Sequence, residues 1–155
     1  MKYIAFLVLL SLCYFLCEQY RRFREKRREQ LDALWRYLVC IEEEMRLYGT
    51  ARGPKELSAF ASITVLGLEG KRPFCEELSH VLMHMALLES EKQKIKDFCK
   101  SFGDGNLKTE QEKLNIVTEN VKSILQKEES EGKKSVQTVR IVAFTITLCL
   151  VILFL

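Results

Sequence analysis

Catalytic signatures are largely missing from this chain. No GxxxxGK[ST] loop, GxGxxG turn, GxSxG elbow or CxxC pair occurs in it, so the usual supports for phosphate cradling, dinucleotide binding, acyl transfer and dithiol redox work are absent. Only two histidines are present, too few to complete a four-ligand structural zinc site alongside scattered carboxylates. No alternating apolar and polar run competes for a strand, and both prolines, Pro54 and Pro73, stand in turns. The sequence therefore predicts no enzyme, no cofactor and no metal.

Charge is distributed unevenly. Charged residues make up 29% and hydrophobic ones 48% of the 155 residues, yet residues 3–17 and 141–155 contain no charge at all. That pattern is a membrane protein with a polar middle large enough for one modest domain. A helix over 3–17 rises about 22 Å against a hydrocarbon core of about 30 Å, so the span is short. Only Lys2 precedes it, and small residues are missing near its end, so cleavage as a signal peptide is not expected. Leu12 and Leu16 stand where acylation of Cys13 or Cys17 needs a small residue.

Arg21, Arg22, Arg24, Lys26, Arg27 and Arg28 crowd the inner flank of the first segment, and Lys133, Lys134 and Arg140 precede the last. By the positive-inside rule the polar middle lies in the cytoplasm. The arginines read as headgroup anchors, snorkelling to lipid at the ends of short spans, and not as a nucleic-acid site.

The middle reads as helices throughout. Leu31, Leu34, Leu38, Ile41, Met45 and Tyr48 recur at spacings of three and four with Trp35 beside them, predicting one rod from the first anchor through a narrow apolar seam. Gly49 is suited to end that helix, and Gly53-Pro54 to turn into a second helix at about 54–65 that buries Leu57, Phe60 and Ala61. Phe74, Leu78, Leu82 and Met85 mark a third helix. From about Glu89, Ile95, Phe98, Cys99 and Phe102 mark a fourth, which Gly103 terminates.

Asn106 is placed to cap the last helix. There Leu107, Leu114, Val117, Val121, Ile124 and Leu125 form one stripe, with Leu114 and Val121 as core positions. The fold class is thus all-α: a membrane-anchored antiparallel bundle with an N-terminal transmembrane helix at 1–20, a cytoplasmic bundle at 21–137 and a C-terminal transmembrane helix at 138–155. Cys40, Cys75 and Cys99 are isolated in the pattern and read as free, buried thiols. Glu76, His80 and His84 share one helix face, which reads as a solvated surface before a metal site.

The run FGDGNLKTEQEKL at 102–114, the LQKEE at 125–129 and the terminal VILFL resemble the C-terminal half of the stage III sporulation protein AB family of endospore-forming bacteria. In that family a Leu-Gly turn, an Asp or Ser cap and a Gln one turn later precede a helix rich in Glu near its end. Phe102, Gly103, Asn106, Gln111, Glu128 and Glu129 occupy those places. The N-terminal half is similar too, with one hydrophobic span, an Arg-rich flank, a helix closing on Glu44 and Tyr48-Gly49, then Pro54 and Glu56-Leu57.

The resemblance implies a non-enzymatic platform component of the mother cell to forespore secretion-like channel. Its soluble domain would be like the F-type domain of type II secretion machines, in the mother-cell membrane with the bundle in the cytoplasm. Implied partners are the hexameric ATPase of the same system, stage III sporulation protein AA, and other membrane components of the channel. Lipid contact falls to Arg21, Arg22, Arg24, Arg27 and Arg28. The partner-facing residues expected on the loops and helix ends distal to the membrane are Tyr48, Gly49, Pro54, Gly103, Asn106 and Gln111. The alternative is a membrane-tethered, self-assembling or lipid-surface adaptor with no ATPase partner. Gly132 is the one candidate break in the last helix, at about 1 kcal/mol relative to Ala, and the resemblance favours continuity.

Overall fold

The structure, a computed structural model, describes residues 2–49, 66, 74–103 and 105–154. Among them the elements are helices α1 (Lys2–Tyr48), α2 (Phe74–His84), α3 (Glu89–Ser101) and α4 (Leu107–Phe154), with no strand. The expected helix at 54–65 lies outside the described residues, and so does Pro54. The chain divides into two compact units, one of Met1–Lys26 with Lys127–Leu155, the other of Arg27–Gln126.

In the unit Arg27–Gln126 the three-four periodicity becomes a core. Leu31, Leu34, Leu38 and Ile41 of α1, Leu78 and Leu82 of α2, and Leu114 and Val121 of α4 are all under 2% exposed. Burying each such side chain stabilises by about 1.5–3 kcal/mol. From α3 the core takes Ile95 and Phe98, while Cys99 and Phe102 pack against its edge. The stripe on α1 is wider than a narrow seam, because Ala33 and Tyr37 are buried as well. A helix packed on neighbours at two sides needs a broader apolar face than a two-stranded pair does. Burial pushes the Tyr37 phenol far up, and the Glu77 and Glu44 carboxylates add to it.

Leu107 departs from the expected stripe. It is 45% exposed, because it is the first residue of α4 and stands past the end of the core, against Gly49.

In the other unit, the start of α1 and the end of α4 lie side by side and antiparallel. Thr147 Oγ1 donates to Cys13 Sγ at 3.2 Å, Tyr20 Oη and Ser135 Oγ share a hydrogen bond at 2.7 Å, and Arg24 Nε lies 2.8 Å from Glu128 Oε1. Pairing numbers rise on one helix as they fall on the other. Helix α4 runs unbroken through Gly132, where a methyl group would meet Glu128 and Arg24 only at ordinary contact distance. Among the described residues no helix is long and apolar enough to cross a membrane. The uncharged ends of α1 and α4 are shorter than the roughly 20 apolar residues a full span needs, and the remainder of each helix is charged.

Candidate functional site

The residues expected to face a partner are Tyr48, Gly49, Pro54, Gly103, Asn106 and Gln111. The structure gathers the described ones at the C-terminus of α1 and the N-terminus of α4. Gly49 has φ +65° and donates its amide to Met45 O at 3.0 Å, the left-handed helix stop that a side chain would strain. Gln111 Nε2 donates to the same carbonyl at 3.2 Å. Both lone pairs of Met45 O are thereby used, and α4 is tied to the end of α1. Gln111 is half-buried in this bond, so its amide nitrogen serves the fold. Of Tyr48 only the backbone is described.

At the other turn Gly103 has φ +101°. Asn106 Oδ1 accepts the Thr109 amide and the Thr109 hydroxyl, each at 2.9 Å, and its carbonyl accepts the Glu110 amide at 3.0 Å. That is the expected cap. Sequence reading missed Glu110, which is 5% exposed and organises the whole turn. Its carboxylate accepts the Gly103 amide at 3.0 Å, the Gly105 amide at 2.9 Å and the Lys113 ammonium at 2.9 Å. Burial pushes this carboxyl up, but the Gly103 amide, the Lys113 charge and the Gly105 amide outweigh it and hold it below the usual range. An acidic residue in the first turn of a capped helix was the available signal, since it complements the helix dipole.

The basic flank is used in two ways. Arg21 and Arg22 are exposed and bond Glu18 one turn back, at 2.8 and 3.2 Å. Arg24 and Arg27, expected at lipid, turn inward instead. Arg24 is ion-paired to Glu128, whose side chain is 6% exposed. Arg27 Nη2 donates to both oxygens of Glu91, and Glu91 Oε2 accepts the Leu88 amide at 2.8 Å, closing the start of α3.

His80 and His84 are exposed with ring centroids 5.4 Å apart, and no group of three or more metal-ligating side chains occurs among the described residues. Cys40, Cys75 and Cys99 are free and half-buried, with Cys75 and Cys99 packed against the edge of the core. The Cys75 thiol is held up by Cys99 and by burial, and the Cys99 thiol is held down by Cys75 against the effect of burial. The Cys40 thiol is pushed up by burial.

No curated protein matches the chain, and no solved structure does. The family model described as stage III sporulation protein AB matches residues 67–155, more than half of the chain, including the Gly103–Gln111 turn and all of α4. The all-helical fold, the Asn106 cap and that match agree: the chain belongs to the stage III sporulation protein AB family, and its role is in sporulation.

Proposed function

We propose that the protein is a non-enzymatic membrane platform that docks a hexameric ATPase in the mother cell during endospore formation. The observation that carries the membrane part is the surface of the unit formed by the chain ends. Leu7, Leu12, Phe15, Leu16, Ile141, Phe144, Ile146 and Ile152 are each more than half exposed there. So large an apolar surface on paired helices is costly in water and calls for lipid or protein cover. Two short apolar helices lying side by side suit a hairpin whose polar contacts, Thr147 with Cys13 and Tyr20 with Ser135, face inward. Arg21 and Arg22, exposed beyond the apolar run, suit the headgroup zone.

Docking is assigned to the turns at Gly49 and at Gly103–Asn106. The amides of Gly49, Gly103 and Gly105 are bonded internally, to Met45 O and to the Glu110 carboxylate, and groups already held in place lose little entropy on binding. The test is co-purification of the ATPase with the full-length protein from detergent-solubilised membranes. The expected result is capture by the natural sequence and loss when both turns are replaced. Undiminished capture after replacement sinks the docking surface. Recovery of copies of this chain alone favours the self-assembling adaptor.

A further inference from the structure

Within the unit formed by the chain ends, a band of charge borders the uncharged runs. Tyr20 Oη and Ser135 Oγ, hydrogen-bonded at 2.7 Å, fix its level. The helices are antiparallel there, so Arg21 and Arg22, which follow Tyr20, stand level with Lys133 and Lys134, which precede Ser135. Lys26 and Arg140 lie within about 9 Å of that level along the axes, at 1.5 Å per residue. All six of these cations are exposed. Arg24, half-buried in the same band, is taken inward by Glu128.

Opposite charge is scarcer in the band. Glu18 bonds Arg21 and Arg22, Glu25 lies 3.7 Å from Arg21, and Glu131 is the third carboxylate. Lys26, Lys133, Lys134 and Arg140 form no ion pair among the described residues. Six exposed cations thus stand against three carboxylates. Phe23 sets this band apart from an ordinary solvated face. It is 50% exposed among the cations, where an aromatic ring is costly in water and suits the boundary of headgroup and acyl chain.

We propose that this band is a binding surface for anionic phospholipid, whose headgroup carries a phosphodiester and no compensating cation. This selectivity rests on the hairpin lying in a membrane, as proposed above. A zwitterionic headgroup brings its own cation to the lysines and gains little from them, whereas each net cation near the surface favours an anionic lipid about fivefold. Lys133 and Lys134 attract phosphate as point charges. Arg140, next to the uncharged run of α4, has a guanidinium that fits two phosphate oxygens at once. Helix α4 therefore supplies half of the belt, and its charges, unlike Arg21 and Arg22, are not shared with a carboxylate of the same helix turn.

The test uses the full-length protein reconstituted in phosphatidylcholine vesicles that carry a trace of spin-labelled phosphatidylglycerol or spin-labelled phosphatidylcholine. Electron spin resonance separates lipid held at the protein surface from lipid of the free bilayer. The expected result is that phosphatidylglycerol is held in preference to phosphatidylcholine by at least about fivefold at low salt, the effect of one net cation. The ratio should fall toward one in about 1 M salt, where charges are screened beyond about 3 Å. Lys133→Gln, Lys134→Gln and Arg140→Gln together remove the excess charge and should abolish the preference, while Glu131→Gln should increase it. A folding defect does not produce an increase, so the second variant keeps the test open if the first misfolds. Equal retention of the two lipids by protein that floats with the vesicles overturns the anionic-lipid surface and leaves the membrane hairpin standing. A preference that neither salt nor Glu131→Gln alters overturns it as well. Protein that does not float with the vesicles, with neither lipid held, overturns the membrane hairpin and this surface with it.

Discussion

Arg27 holds both carboxylate oxygens of Glu91 through one nitrogen, at 2.9 and 3.1 Å, with the two side chains only 10% and 15% exposed. The same Glu91 accepts the Leu88 amide, so one carboxylate joins α1 to α3 and closes the first turn of α3. Leu88 offers no side-chain acceptor of its own. Glu91→Ala should therefore cost about 1–3 kcal/mol, because it takes a charged acceptor from the buried Arg27 guanidinium and from the Leu88 amide that starts α3. Chemical denaturation of the full-length protein in detergent measures this. Glu91→Gln, which keeps an acceptor for the Leu88 amide and removes the charge, should cost less than Glu91→Ala, and equal losses would mean that the acceptor at the start of α3 contributes nothing.

Glu110 predicts a pH dependence with a definite sign. Its carboxyl is held below its ordinary value of 4.5 in the folded protein, so its contribution is fully present above that value and is lost as pH falls through the lowered one. Glu110→Gln should destabilise by about 1–3 kcal/mol at neutral pH, since the Gly103 and Gly105 amides and the Lys113 ammonium lose a charged acceptor. Melts taken from pH 7 down to pH 3 should show the natural and variant midpoints converging on the acid side. Parallel curves would remove Glu110 from this role.

Gly105→Ala probes the same turn sterically. An added methyl would sit 2.5 Å from Glu110 Oε1 and 3.3 Å from Thr109 Cβ. The carboxylate is pinned by Gly103 and Lys113 and yields only by giving up those bonds. A loss of about 1–3 kcal/mol is expected, together with a flattened acid-side slope like that of Glu110→Gln. A destabilised variant that keeps the natural slope would show that the carboxylate did not move.

Leu114→Ala should cost about 2–5 kcal/mol, as Leu114 is fully buried where α4 meets the core. Asn106→Ala, by contrast, should cost only about 1 kcal/mol, because it removes one cap whose amide faces water. Thermal midpoints of the two variants, compared directly, check the order. Equal losses would contradict the burial of Leu114.

The legibility of the molecule follows the range of each interaction. Leu31 to Met45, Leu78 and Leu82, and Leu114 to Val121 were readable because a helix repeats every 3.6 residues and a core marks the repeat. Gly49, Gly103 and Asn106 were readable as stops and a cap because each acts within one turn of itself. Leu107 was misread, since periodicity does not say where the core ends. Arg24 and Arg27 were read as lipid anchors because, along the chain, they belong to a basic run. Only their partners, Glu128 and Glu91, reveal them as internal.

By itself, then, the sequence determined the helices, their buried faces, the stops between them and the family, because periodicity, caps and motifs are local. Tertiary structure alone decided that Gln111 closes α1, that Glu110 gathers two amides and a lysine, and that Arg27 reaches Glu91. Each of these depends on which helix faces which. A polar side chain carries no sign of its distant partner until the apolar stripes have packed and set the helices in register.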